Sequence, residues 1–247
     1  MPTLGRVTFG PIRWREVQSE NAAVARLAAF FYGHFCKSRY IMKKTVTSLR
    51  LLQAALLLGF AALGNSAMAQ ADEARAKKIV GGVCFVCHGA EGESSSEVFP
   101  RLAGQHWEYT TKQLENFKSG KRKSTAMADM VAKLTPDEMV ALGKFFEKQA
   151  VAVEPAKDQG LAAVGKYIYH QGNKYSGLAA CASCHGAEAK GTTALPRLAG
   201  QYADYIATQL QQFNKRERTN DNAVMHAIVS KMTPLEMVAV AEYLSGK

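Results

Sequence analysis

Two stretches of this chain set chemistry-bearing residues at one spacing: "GVCFVCHGAEG" at 82–92 and "AACASCHGAEA" at 179–189. Each holds two cysteines three positions apart, Cys84 with Cys87 and Cys181 with Cys184. A histidine follows at once, His88 or His185. Two thiols at this spacing reach both vinyl groups of one porphyrin edge, and the adjacent imidazole reaches the iron; C-x-x-C-H is the attachment pattern of a c-type haem. A redox dithiol leaves the histidine after each pair unexplained. A single zinc site would have to gather pairs lying a whole domain length apart, and disulfides within each pair would close awkwardly short loops. The motif, occurring twice, predicts two covalently bound c-type haems.

The chain around these motifs is also written twice. "CHGAEGESSSEVFPRLAGQ" ends at Gln105 and "CHGAEAKGTTALPRLAGQ" at Gln201. Tyr109, Gln113, Leu114 and Phe117 recur as Tyr205, Gln209, Leu210 and Phe213. "AMADMVAKLTPDEMVAL" (126–142) matches "VMHAIVSKMTPLEMVAV" (224–240). The offset drifts from 97 to 96 to 98, so loops differ by one or two residues while the order of elements is kept. An internal repeat fixes architecture, and each copy, about 80–90 residues, is of a size that a bound cofactor helps to stabilise.

The repeat filters candidates for the second axial ligand, because equivalent haems should use equivalent side chains. His106 aligns with Tyr202, His226 with Ala128 and His170 with the region around Glu73, so no second histidine is duplicated. Met130 aligns with Ile228 and Met232 with Leu134. Two methionine pairs survive, Met127/Met225 and Met139/Met237. Met139 and Met237 fall on the apolar stripe of a helix, where methionine is usually core filler. Met127 and Met225 lie in the segment before that helix, eight residues ahead of Thr135 and Thr233, where a loop can press a side chain onto the iron. They are the predicted ligands, the competing reading being loop methionines packed on a haem edge. A His/Met iron is six-coordinate and, relative to a bis-histidine iron, of raised potential. It transfers single electrons without bond chemistry.

The elements that must position these groups read as helices. Residues 71–87 suit a helix delivering the first motif at its end. His106–Lys118 and Tyr202–Lys215 carry Tyr, Leu and Phe at spacings of three to five. "TPDEM" and "TPLEM" are helix starts, with Thr at the N-cap, Pro at N1 and Glu at N3. Beyond them Met139, Leu142 and Phe146, and likewise Met237, Val240 and Leu244, share a face. No run of alternating strands is evident. The fold class is all-α, two similar domains in tandem: 70–150 and 160–247, joined by a linker at 151–159 that contains Pro155 and charged residues.

The net charge of +10 belongs mostly to the front of the chain. Residues 1–69 carry nine Lys or Arg against two acids, which leaves 22 bases and 19 acids for the rest. With no basic helix or aromatic-basic stripe, nucleic-acid binding is not indicated. From Met42 the chain reads as a signal peptide (42–69): Lys43, Lys44 and Arg50, the apolar Leu51–Leu63, then Ala67-Met68-Ala69. Thirteen apolar residues fall short of the roughly 20 that span a bilayer. Residues 1–41, with His34 and Cys36, precede it as an extension or an upstream start. Export suits thioether attachment, which bacteria carry out outside the cytoplasm.

From Gln70 to Lys247 the chain resembles the dihaem cytochromes c4, a subgroup of the class I cytochromes c. The resemblance is carried by the two CxxCH motifs, by "FPRLAGQ" and "LPRLAGQ", by "KQLENFKSGKR" and "TQLQQFNKRERTND", and by the methionine segments leading into the last helix of each domain. It implies two cytochrome c domains related by a pseudo-twofold axis with haem edges facing across the interface. It implies a periplasmic location, loose inner-membrane association, and electron transfer among respiratory partners such as a bc1-type complex and a terminal oxidase. It places the distal ligands at Met127 and Met225. It makes Pro100 and Pro196 the residues whose carbonyls orient the proximal histidines, turn prolines being the other reading. Arg101 and Arg197 then pair with propionates or lie on a solvated face. The chain departs from the family at "KSGKRKSTAMADM", which is compact and lacks a long insertion.

The leading expectation is thus an electron carrier, not an enzyme. The competing one is the cytochrome subunit of a flavoprotein sulfide dehydrogenase or similar complex. A peroxidase, which needs an open iron, is opposed by the duplicated methionines; a structural or membrane-anchoring role, with the haems as staples, is a further competitor that an uncleaved Leu51–Leu63 segment would favour.

Overall fold

The computed structural model describes residue 70 and residues 72–247. The predicted extension (1–41), with His34 and Cys36, and the predicted signal peptide (42–69) lie outside the described residues. Those residues are helical, with no strand among them and one isolated bridge, Asn173 to Leu178.

In the first repeat, α1 (72–79) continues through a π-helical turn, Val80–Cys84, into α2 (Phe85–His88). Then come α3 (Trp107–Lys118), α4 (Thr125–Val131) and α5 (Pro136–Glu147). The second repeat holds α6 (Gln159–Gln171), α7 (Ala182–His185), α8 (Ala203–Asn214), α9 (Val224–Val229) and α10 (Pro234–Ser245). The wider π turn contains Gly81 and Gly82; π turns inserted in α-helices frequently mark functional sites.

Both predicted capping boxes form. Thr135 Oγ1 accepts from Glu138 N while Glu138 accepts from Thr135 N, and Thr233 and Glu236 repeat the exchange. The caps set the register of α5 and α10, so Met139, Leu142 and Phe146, and Met237, Val240 and Leu244, turn into the core, each at most 3 % exposed. Burying side chains of this size contributes about 1.5–3 kcal/mol each. In the first repeat α1 and the π turn supply Ala76 and Val80 to the α5 face. In the second, α6 lies against α10, and Ile206 and Phe213 of α8 close the cluster.

The two repeats meet through polar pairs formed twice, with the roles of the repeats exchanged. Arg122 donates to its own Gln113 Oε1 (2.8 Å) and to Tyr205 Oη and Gln209 Oε1 of the second repeat (both 2.9 Å). Arg218 donates to its own Gln209 Oε1 (2.7 Å) and to Tyr109 Oη (2.9 Å) and Gln113 Oε1 (3.2 Å) of the first. Each guanidinium also lies over a phenyl ring of its own repeat, Arg122 over Phe117 and Arg218 over Phe213.

Candidate haem sites

The CxxCH motifs form the short helices α2 and α7, each stopped by a glycine at φ 78°, Gly89 and Gly186. Only glycine adopts this left-handed backbone without strain. The turn lets the chain leave while the histidine stays inside: His88 and His185 are each 7 % exposed. None of the four motif cysteines is in a disulfide; Cys184 is exposed and the others are half-buried. Burial raises the Cys84 thiol above its ordinary value and pushes Cys181 up to about 11.

His88 Nδ1 donates to Pro100 O at 2.9 Å, and His185 Nδ1 to Pro196 O at 3.2 Å. A carbonyl can only accept, so each ring carries its proton on Nδ1, and Nε2 keeps its lone pair. Burial holds both rings below the ordinary histidine pKa, opposed by the same carbonyls. A neutral imidazole fixed at Nδ1 is the form that ligates a metal through Nε2.

Met127 and Met225 are half-buried. The expectation that they sit in loops needs correction: Met127 lies in α4 and Met225 in α9. The backbone of each is tied down by a nearby side chain. Met127 N donates to Ser124 Oγ (3.3 Å) and Met225 N to Asp221 Oδ2. Met139 and Met237 are core residues at 2 % exposure. The unduplicated histidines have other partners. His106 Nε2 lies 2.8 Å from Lys190 O, His170 Nε2 2.9 Å from Tyr243 Oη, and His226 Nδ1 3.1 Å from Phe213 O. His170 sits near the C-terminus of α6, so the alignment of this region with Glu73 does not describe the second repeat.

Arg101 is not on a solvated face. It is 7 % exposed, donates through Nη1 to Ala152 O and Gly200 O (both 2.9 Å), pairs through Nη2 with Glu154, and stacks 4.0 Å over the Tyr202 ring. Its Nε alone is buried without a partner among the described residues. Arg197 is half-buried, its Nε donating to Ala199 O at 3.2 Å, and burial lowers its pKa.

The ends of the two "PRLAGQ" blocks also carry structure that no local pattern announces. Gln105 and Gln201 each bridge to the arginine backbone of the other repeat. Their duplication in the sequence was the available signal. Taken together, paired cysteines and a ring nitrogen left free beside them fit a c-type haem in each repeat, and in the first repeat the unpartnered buried Arg101 Nε suits a propionate.

The cytochrome c family model matches residues 73–171 and 162–246. The chain is 34% identical over 200 residues to cytochrome c4 of Pseudomonas aeruginosa, covering 79% of this chain and 97% of that protein. It is 36% identical over 201 residues to a thiosulfate dehydrogenase electron acceptor of Stutzerimonas stutzeri, covering 77% and 93%. The crystal structure of reduced recombinant cytochrome c4 from Pseudomonas stutzeri superposes with a TM-score of 0.67 at 33% identity, over 70% of this chain and 97% of that one. The protein is an electron-transfer protein with two covalently bound c-type haems, not an enzyme, and it exchanges electrons with redox partner proteins. The chain belongs to the cytochrome c family and, within it, to the dihaem cytochromes c4.

Proposed function

We propose that this is a periplasmic carrier of single electrons, built from domains at 70–150 and 160–247 joined by 151–159 and exported by the signal peptide at 42–69. In the first domain Cys84 and Cys87 form the thioether bonds, and His88 and Met127 ligate the iron. In the second, Cys181, Cys184, His185 and Met225 do the same. The bound group supplies a one-electron iron couple. The chain's own residues do the rest. Pro100 and Pro196 orient the proximal rings, Ser124 and Asp221 hold the methionine backbones, and Arg101 Nε supports a propionate, with Arg197 in the equivalent place.

One observation carries this reading: the His Nδ1 to Pro carbonyl bond, made in both repeats, leaves Nε2 of each ring for iron. Met127 and Met225, at matched positions in the two repeats, would supply the second ligand. Were each iron held by its histidine and its methionine, no open position would remain for oxygen or peroxide, and the group would supply one-electron exchange alone.

The carrier runs between respiratory partners, from a bc1-type complex toward a terminal oxidase. No helix among the described residues is long and apolar enough to cross a membrane, which is compatible with loose association at the inner membrane. A second reading is supported by the relative named as an electron acceptor of thiosulfate dehydrogenase: the donor is then a sulfur-compound dehydrogenase, a broader case of the flavoprotein partner predicted from sequence.

The test is an absorption spectrum of the reduced, exported protein before and after carbon monoxide, with haem counted by the pyridine method. Two haems per chain and little change with carbon monoxide support the carrier. Prompt binding at either haem in the unmodified protein overturns it. Stopped-flow reduction by each candidate donor then separates the two partner readings.

A further inference from the structure

The glutamine bridges end on the very peptides that hold the proximal histidines. His88 donates to Pro100 O, and that oxygen belongs to the same peptide unit as Arg101 N. Arg101 N in turn donates across the interface to Gln201 Oε1 at 2.9 Å. In the second repeat His185 donates to Pro196 O, and the N–H of that peptide, Arg197 N, donates to Gln105 Oε1 at 2.9 Å. Each amide closes the bridge with its nitrogen: Gln201 Nε2 donates to Arg101 O and Gln105 Nε2 to Arg197 O, both at 2.9 Å. The paired bonds fix which end of each amide is oxygen.

Hydrogen bonds in series polarise one another. A peptide whose N–H donates carries more negative charge on its carbonyl oxygen and pulls harder on a proton offered to it. The ring that offers that proton becomes a more basic ligand at its other nitrogen. A more basic histidine favours the oxidised iron and lowers the potential, since hydrogen bonding around the ligands is one of the protein's levers on a haem.

We propose that Gln201 and Gln105 are positioning residues that each set the basicity of the proximal histidine in the opposite repeat, so that each haem's potential is tuned from the other domain. This rests on the reading of His88 and His185 as the iron ligands. The coupling is reciprocal in geometry, and it needs no direct contact between a glutamine and a haem.

The experiment uses the full-length holoprotein. The two midpoint potentials are followed by spectroelectrochemical titration and assigned to individual haems by paramagnetic NMR. Gln201→Leu is expected to raise the potential of the first haem and leave the second in place; Gln105→Leu is expected to do the reverse. Tyr205→Phe, which alters the same interface away from both peptides, is expected to move neither. Should the leucine variants fail to fold, Gln201→Glu keeps an acceptor for Arg101 N and is expected to lower the first potential more than the second. Equal shifts at both haems, a shift in the glutamine's own repeat, or no shift overturns the proposal. Proton NMR of the reduced wild type keeps the two readings apart. If the Nδ1–H signals of His88 and His185 lack haem ring-current shifts, the ligand assignment itself fails. If those shifts are present and the crossed response is missing, the glutamine proposal alone fails.

Discussion

In the first repeat the backbone runs from residues 72–79 through the π turn Val80–Cys84 straight into the first motif. In the second, residues 172–180 separate the end of α6 from Cys181, and the Asn173–Leu178 bridge ties that excursion together. The packing follows the route. Gly165 brings α6 so close to α10 that a Cβ there would lie 1.8 Å from Ala239 O, whereas a Cβ on Gly81 or Gly82 would meet nothing within 4 Å. The second CxxCH is therefore braced by a helix packed independently of it, and the first by continuity with its own helix. Similar histidine geometry at both sites shows that the Pro carbonyl and the glycine stop, not the preceding helix, determine where the ring points.

The methionine side differs as well. The turn of α4 that holds Met127 begins at a Ser124 N-cap in extended conformation. The turn that holds Met225 enters through Asn222 and Ala223, both left-handed at φ 57° and 64°, with Asp221 holding the Met225 amide. A carboxylate acceptor makes a stronger bond than a hydroxyl, and here it secures a strained entry.

The largest effect that separates the repeats is expected from the ligands themselves. Met127→Ala should let carbon monoxide bind the first haem alone and lower its potential, and Met225→Ala should do the same for the second, as read in difference spectra and redox titration. Binding at the first haem in Met130→Ala instead would break the pairing of Met127 with Met225. Next comes packing. Gly165→Ala should destabilise the holoprotein by about 1–3 kcal/mol through overpacking against α10. Gly81→Ala should be neutral or stabilising by up to about 1 kcal/mol, since alanine is the better helix former. Urea unfolding of both variants measures the contrast. Smaller still are the effects of the side chains that hold the methionine amides. Asp221→Ala should cost about 1 kcal/mol and make the second haem accessible to carbon monoxide, more so than Ser124→Ala does the first. Smallest is Ala223→Gly, which relieves left-handed strain of about 1 kcal/mol but loosens the unfolded chain by about half of that or more. A slight rise in Tm is expected, with no counterpart in the first repeat.

Much of this arrangement was legible in the sequence. The CxxCH spacing, the two Thr-Pro capping boxes and the stripes through Met139 and Met237 are local patterns, and local hydrogen bonding and burial suffice to realise them. The helices carrying Met127 and Met225 leave no mark in the sequence, because six or seven residues are too few for a helical period to declare itself. The offset is not constant at His170: residues 172–180 separate α6 from Cys181, an excursion that the first repeat lacks, so His170 does not align with the region around Glu73. The burial of Arg101 escaped because its partners, Ala152, Glu154 and Gly200, lie 51 to 99 residues away in the chain. Nothing local distinguishes an arginine destined for an interface from one destined for solvent.

The exchange of identical contacts between the repeats, Gln105 with Arg197 as Gln201 with Arg101, and Arg122 with Tyr205 as Arg218 with Tyr109, is the signature of an isologous interface. Such a surface is self-complementary and closes on itself after two copies, so it leaves no matching patch free to recruit a third. The two halves are, in effect, a homodimer made covalent. The tether between them serves to raise their local concentration to about the millimolar range expected of a short linker. A chain cut within 151–156 should on this logic hold together through the same bridges, and the halves should find each other in solution.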